Sequence, residues 1–191
     1  MARTAAPDTR ERVLKTAAEL FYARGIRAIG MQEIIDTAGC GKNLLYREFP
    51  SKTDLVNAYL DRSRHIWERR AAKAAKAAEP DPAAQLVALV QAMADQVHDT
   101  NYRGCPFRNF LAEFTDPGDP AWDAAAEFLR DTRARVDALV NQLNPADPDL
   151  LAERIWLIIE GLHSAAAHPE GARTVNAAVS FTKDIVDHAA A

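Results

Sequence analysis

Residues 39 to 52, "GCGKNLLYREFPSK", gather side chains suited to a polyanion. Lys42 and Arg47 can address phosphates or guanine edges, Asn43 can pair with adenine, and Tyr46 can donate to a phosphate or pack on a thymine methyl. They interleave with Leu44, Leu45 and Phe49. At helical spacing Leu45 and Phe49 lie four apart and face inward, which leaves Lys42, Asn43, Tyr46 and Arg47 outside. Lys52 opens the following helix, where its ammonium and the free amides of the helix N-terminus could both hold phosphate. The alternative for the same pattern is a solvated polar face on an ordinary core helix.

Stepping outward along the chain, the elements that would hold this face are helices. Asp8 with Glu11 makes a capping box ahead of Val13, Leu14, Ala17, Leu20 and Phe21 at helical spacing, and Gly25 supplies a stop. Met31, Ile34, Ile35 and Ala38 follow at i, i+3, i+4 and i+7, and Gly39 permits the positive φ of a tight turn. A third helix is predicted from Lys42 to Phe49, ended by Pro50. Ser51 with Asp54 makes a second capping box for a helix over 51–78 carrying Leu55, Val56, Tyr59, Ile66 and Trp67, which "EPDP" breaks. Further helices are predicted over 83–101, 106–115, 120–143, 148–167 and 171–189, with "TDPGDP" and "NPADPD" as turns between them. The chain therefore reads as all-α. Two of its short helices, joined by a glycine turn, form a helix-turn-helix whose second helix can enter the major groove.

Charge is divided unevenly. Residues 1–76 hold 15 lysines and arginines against 9 aspartates and glutamates, net +6, whereas residues 77–191 hold 8 against 18, net −10. A basic N-terminal part suits nucleic acid, and the acidic remainder suits something else. A chain of 191 residues can bury a substantial core. No apolar run approaches the roughly 20 residues needed to span a bilayer, and the first residues lack a secretion-signal core. The expected location is the cytoplasm, with no membrane partner. Cys40 and Cys105 are far apart and lack CxxC or Cys/His spacing, so reduced thiols are expected rather than a disulfide or a metal site. The chain lacks GxSxG, HExxH, a phosphate-cradling glycine loop and any defensible pair of carboxylates, so an enzyme is not expected, nor a cofactor.

The run from Arg12 to Leu60, with "AAELFYARG", "IIDTAG", "LLYREF" and "SKTDL", closely resembles the N-terminal DNA-binding domain of the TetR family of bacterial transcriptional regulators. The resemblance implies a helix-turn-helix domain at 1–50 and a C-terminal ligand-binding and dimerisation domain at 51–191, connected by the helix over 51–78. Its members are mostly repressors released by a small molecule. The expected DNA contacts are Gln32, Lys42, Asn43, Leu44, Tyr46, Arg47 and Lys52. Where the family usually has serine or threonine caps this chain has Gly30 and Gly41, and Ile35 replaces a common alanine. Glycine caps are weaker by a few tenths of a kcal/mol, which leaves a helical dimer that binds a ligand without reading a specific DNA site as the rival. Asn43 and Leu44 also depart from the family pattern, so an operator sequence is not transferable. Arg3, in the leading "MARTAAP", either reaches a minor groove or belongs to a disordered tail.

A second informative stretch is "NYRGCPFRNFLAEFTDPGDPAW", residues 101–122. Its Gly-Cys-Pro with Asn109 and Glu113 resembles the sixth-helix region of a subgroup that includes sensors of electrophiles or oxidants. Cys105 would stand at an N-cap with Pro106 first in the helix, where dipole, free amides, Arg103 and Arg108 favour thiolate. The other reading is a small buried hydrophobe, with Glu113 capping or pairing locally. Trp67, Tyr102, Phe107, Phe110, Phe114 and Trp122, with Cys105 and Asn109, are the expected ligand contacts, against plain core packing. His98 and His163 have no metal-ligand spacing. In "IWLIIEGLHSAAAH" and "VNAAVSFTKDIVDHA", Gly161, Ala165, Ala177 and Ala178 lie among Ile158, Leu162, Val179, Phe181 and Ile185. Small residues let helices approach, so these two helices are expected to join two copies in a four-helix bundle, the alternative being intramolecular core. A two-fold dimer calls for a palindromic operator.

Overall fold

The computed structural model describes residues 8–97, 101–165 and 171–190; Arg3 and His98 lie outside them. Among the described residues the regular structure is helical: α1 Asp8–Arg24, α2 Met31–Ala38, α3 Lys42–Glu48, α4 Lys52–Ala77, α5 Pro82–Val97, α6 Pro106–Glu113, α7 Pro120–Leu143, α8 Pro148–Ala165 and α9 Gly171–Ala190. The all-α expectation holds. Four of these helices, α5 to α8, begin at Pro, whose missing amide costs a helix nothing at its first position.

Two compact units form. One comprises residues up to Arg64 together with Pro106–Ala126, and the other His65–Cys105 with Glu127–Ala191. In the first, Val13, Ala17 and Phe21 of α1, Ile34 and Ile35 of α2, Leu45 of α3 and Leu55, Val56 and Tyr59 of α4 are buried. Phe21 meets Tyr59 edge to face with centroids 5.7 Å apart. The apolar stripes read from the sequence are thus the ones that turn inward. The capping box at Ser51 also forms: the Ser51 amide donates to Asp54 Oδ2 at 2.9 Å, and the Asp54 amide donates to Ser51 Oγ at 3.1 Å. At the other expected box, the Glu11 carboxylate accepts from the Arg62 guanidinium of α4.

The second unit has its own core. Leu86, Val90 and Met93 of α5 pack with Val136 and Val140 of α7, Leu151, Ile155, Ile159 and Leu162 of α8, and Val175 and Val186 of α9. Each such side chain contributes on the order of 1.5–3 kcal/mol when fully buried. Trp67, Ile158, Ala178, Val179 and Ile185 pack half-buried against that cluster.

Candidate nucleic-acid interface

The turn between α2 and α3 is built by glycines. Gly39 ends α2 with φ 60° and ψ 40°, and its amide donates to Asp36 while that of Cys40 donates to Ile35 at 3.2 Å. Only glycine takes this left-handed conformation without steric cost. Gly30 and Gly41 begin α2 and α3 in extended conformation, and neither has a side-chain cap hydrogen bond. The Gly41 carbonyl instead accepts from the Leu44 and Leu45 amides at 3.0 and 3.1 Å. At its far end α3 closes with the Phe49 amide donating to Leu45 at 2.8 Å.

This backbone sorts the side chains of α3 by face. Leu45 is 0 % and Phe49 1 % exposed, and the Arg10 guanidinium lies 4.6 Å from the centre of the Phe49 ring. Lys42, Asn43, Tyr46 and Arg47 are exposed, and Leu44 is half-buried. The Lys42 ammonium sits 6.0 Å from the centre of the Tyr46 ring, and Arg47 shares its guanidinium with the neighbouring Glu48 at 3.1 Å. Those contacts are weak enough at a wet surface for a phosphate to replace them. On α2, Gln32 is exposed and its amide donates to Asp36 at 2.8 Å. Lys52, at the start of α4, is half-buried. Burial pushes its ammonium below the ordinary lysine range, and the negative charge of Glu113 offsets part of that.

Glu113 is a site residue whose partners no local pattern reveals. Its Oε1 accepts from the Ile26 amide at 3.1 Å and its Oε2 from the Arg27 amide at 2.9 Å, in the corner between α1 and α2. Pairing is therefore with residues far off in sequence and not within its own helix.

The residues expected around a ligand are distributed over both units. Phe107, Asn109, Phe110, Phe114 and Trp122 belong to the first, and Trp67, Tyr102 and Cys105 to the second. Phe110 and Phe114 stack at 4.6 Å, and the Tyr102 hydroxyl meets His163 Nδ1 at 2.8 Å. Cys105 is buried immediately before α6 and Cys40 is half-buried, both as free thiols. Among the described residues no group of three or more His, Cys, Asp or Glu is placed to hold a metal, and no helix is long and apolar enough to cross a membrane.

On α8 and α9 the small and large apolar residues divide. Leu162 and Ala165 turn into the core of their own unit, whereas Gly161, Ala177 and Phe181 are exposed. Leu157 joins the exposed set at 68 % and Phe181 is 54 % exposed. Leu157 was not distinguished by residue type alone, although Glu153, Arg154 and Glu160, three and four residues away, phase it to the outer face.

Comparison with known proteins matches this geometry. Residues 13–59 match the bacterial regulatory proteins of the tetR family, and residues 82–180 match the tetracyclin repressor-like C-terminal domain. An uncharacterised helix-turn-helix-type transcriptional regulator of Mycobacterium tuberculosis is 30 % identical over 160 residues, covering 83 % of this chain and 75 % of its own. The transcriptional activator FasR of Mycolicibacterium smegmatis is 33 % identical over 157 residues, covering 81 % of this chain and 67 % of its own. Among solved structures, a TetR-family transcriptional regulator from Streptomyces coelicolor superposes with a TM-score of 0.89 at 26 % identity, over 96 % of this chain and 97 % of that one.

Proposed function

The chain belongs to the tetR family of bacterial regulatory proteins and is a DNA-binding transcriptional regulator, not an enzyme; from that premise we propose that it acts in the cytoplasm as a homodimeric repressor on a palindromic operator. The observation that carries the reading is the sorting of α3, with Leu45 and Phe49 buried and Lys42, Asn43, Tyr46 and Arg47 on the open face. In this reading 1–50 is the DNA-binding domain and 51–191 the ligand-binding and dimerisation domain. Lys42, Arg47 and Lys52 take phosphates, Asn43 and Tyr46 address bases or backbone, and Gln32 and Leu44 flank them. The second copy docks on α8 and α9 through Leu157, Gly161, Ala177 and Phe181, which supports a two-fold arrangement of recognition helices.

Release follows from an effector that favours one of two dimer conformations and so changes the separation of the recognition helices by way of α4. Trp67, Tyr102, Cys105, Phe107, Asn109, Phe110, Phe114 and Trp122 are the proposed effector contacts. Their character favours an apolar or aromatic molecule, or an electrophile that captures the Cys105 thiol. The test is a footprinting titration on the DNA upstream of the chain's own gene at two salt concentrations. A protected palindrome that fades as salt rises supports the reading. No protection on that or any other genomic fragment would favour a ligand-binding dimer without specific DNA recognition. Cys105→Ser should abolish release by an electrophile such as N-ethylmaleimide, and release that survives the substitution removes the thiol from the mechanism.

A further inference from the structure

The last side chain of α6 serves a different part of the chain. Glu113 spends both carboxylate oxygens on backbone amides of the α1–α2 corner, Ile26 at 3.1 Å and Arg27 at 2.9 Å. The corner is shaped to receive it. Gly25 leaves α1 with φ +88°, and a Cβ at that position would come within 3.0 Å of Glu113 Oε1, so the carboxylate fills the room an absent side chain leaves. A second tie lies alongside, where the Arg27 guanidinium covers the Phe114 ring at 5.0 Å and Phe114 stacks on buried Phe110. Lys52, at the start of α4, lies in the field of the same carboxylate. Just past this corner, α2 begins at Gly30 with no side-chain cap hydrogen bond. The corner thus adds a tie at the entry to α2, beside the Arg24–Glu33 ion pair and the buried Ile34 and Ile35.

We propose that Glu113 is a positioning residue for DNA reading: from α6 it pins the α1–α2 corner, and the pose of α2 and α3 depends on that attachment. The role rests on α3 being the DNA-reading helix. Hydrogen bonds to a charged acceptor are stronger than neutral ones, and an amide left without its acceptor reopens to water. Glu113→Gln keeps the shape but presents an NH2 group to one of the two donors, so one bond is lost. Glu113→Ala loses both.

The experiment uses the full chain with each substitution and three readouts: amide hydrogen exchange without DNA, affinity for the footprinted operator fragment, and affinity for a random duplex of equal length. Faster exchange is expected at one of Ile26 and Arg27 in Glu113→Gln and at both in Glu113→Ala, with α8 and α9 unchanged. Operator affinity should fall about tenfold for Glu113→Gln and further for Glu113→Ala, while random-duplex affinity stays within about twofold. Unchanged exchange would overturn the pin itself. Faster exchange with unchanged operator affinity would overturn the positioning role. Equal weakening on both DNAs, with a lower melting temperature, would reduce Glu113 to a general stabiliser. Because exchange is read without DNA, failure of the pin is distinguishable from failure of the DNA face. Absence of any operator for the unsubstituted chain would remove the positioning role along with that face.

Discussion

Along α3 the open positions are Lys42, Asn43, Tyr46 and Arg47, whereas along α8 and α9 they include Leu150, Leu157, Gly161, Ala177 and Phe181. The first face suits a highly charged, hydrated partner, because its groups lose little by staying in water until a phosphate replaces that water. The second is costly to leave wet and suits an apolar partner of matching shape, the role proposed for a second copy. The supporting structure differs in the same sense. A seven-residue helix with a glycine N-cap, anchored by Leu45 and the C-cap Phe49, carries the charged face, while helices of 18 and 20 residues over an extensive core carry the apolar one. The proposed DNA face thus rests on a short helix with few buried anchors and the proposed dimer face on long helices over an extensive core.

The comparison is broken most severely at the apolar face. Leu157→Asp combined with Phe181→Asp places two carboxylates where the copies are proposed to meet, and light scattering should then report a monomer. Operator affinity should fall about 100-fold or more, since the second half-site is no longer held by the first. A dimer that survives would move the interface elsewhere. Next in size is Leu45→Ala, which empties the fully buried position on α3 and should cost about 2–5 kcal/mol. Hydrogen exchange should speed up in α2 and α3 first, with α5, α8 and α9 still protected, if the DNA face is the less firmly anchored of the two. Within the charged face the residues should separate by role. Arg47→Ala should weaken binding to all duplexes and lower the salt slope by about 1, whereas Asn43→Ala should change preference among operator variants by about 1–3 kcal/mol.

How much of this was legible beforehand depended on whether the determining signal was local. The helix succession, the turn at Gly39, the box at Ser51 and Asp54 and the inward stripe of Leu45 and Phe49 are set by residues within a turn or two of one another, and the residue pattern discloses them. The grouping of Pro106–Ala126 with the N-terminal helices is set by contacts across the chain, such as Glu113 with Ile26 and Arg27, and no periodicity carries that information. Grouping by residue type alone hides information as well. In α8 the helical spacing of Glu153, Arg154 and Glu160 marks the outer face, which places Leu157 outside and Leu162 inside; Leu162, grouped with the interface by its apolar type, is fully buried in its own unit. The charged face posed the opposite case, because its polar residues mark the open side of a short helix by themselves.

The smallest expected effect concerns Lys52, at the edge of the charged face. Burial lowers its proton affinity in the folded chain, with Glu113 partly restoring it. The cationic form is therefore disfavoured by folding. Where both the folded and the unfolded chain hold the proton, the penalty is fully present, and it is relieved as pH rises through the lowered folded value toward the ordinary lysine range. A phosphate on Lys52 acts the other way, since it stabilises the cation and requires the proton to be present. Raising pH through that window should therefore increase this residue's contribution to stability while decreasing operator affinity, by about two- to threefold for one partly solvated contact. Lys52→Arg, which stays charged throughout, should flatten the affinity profile over the same window. Lys52→Ala should flatten it too, at a lower affinity for every duplex. An affinity profile in the unsubstituted chain that is already flat would remove Lys52 from the phosphate contacts and confine the charged face to α3.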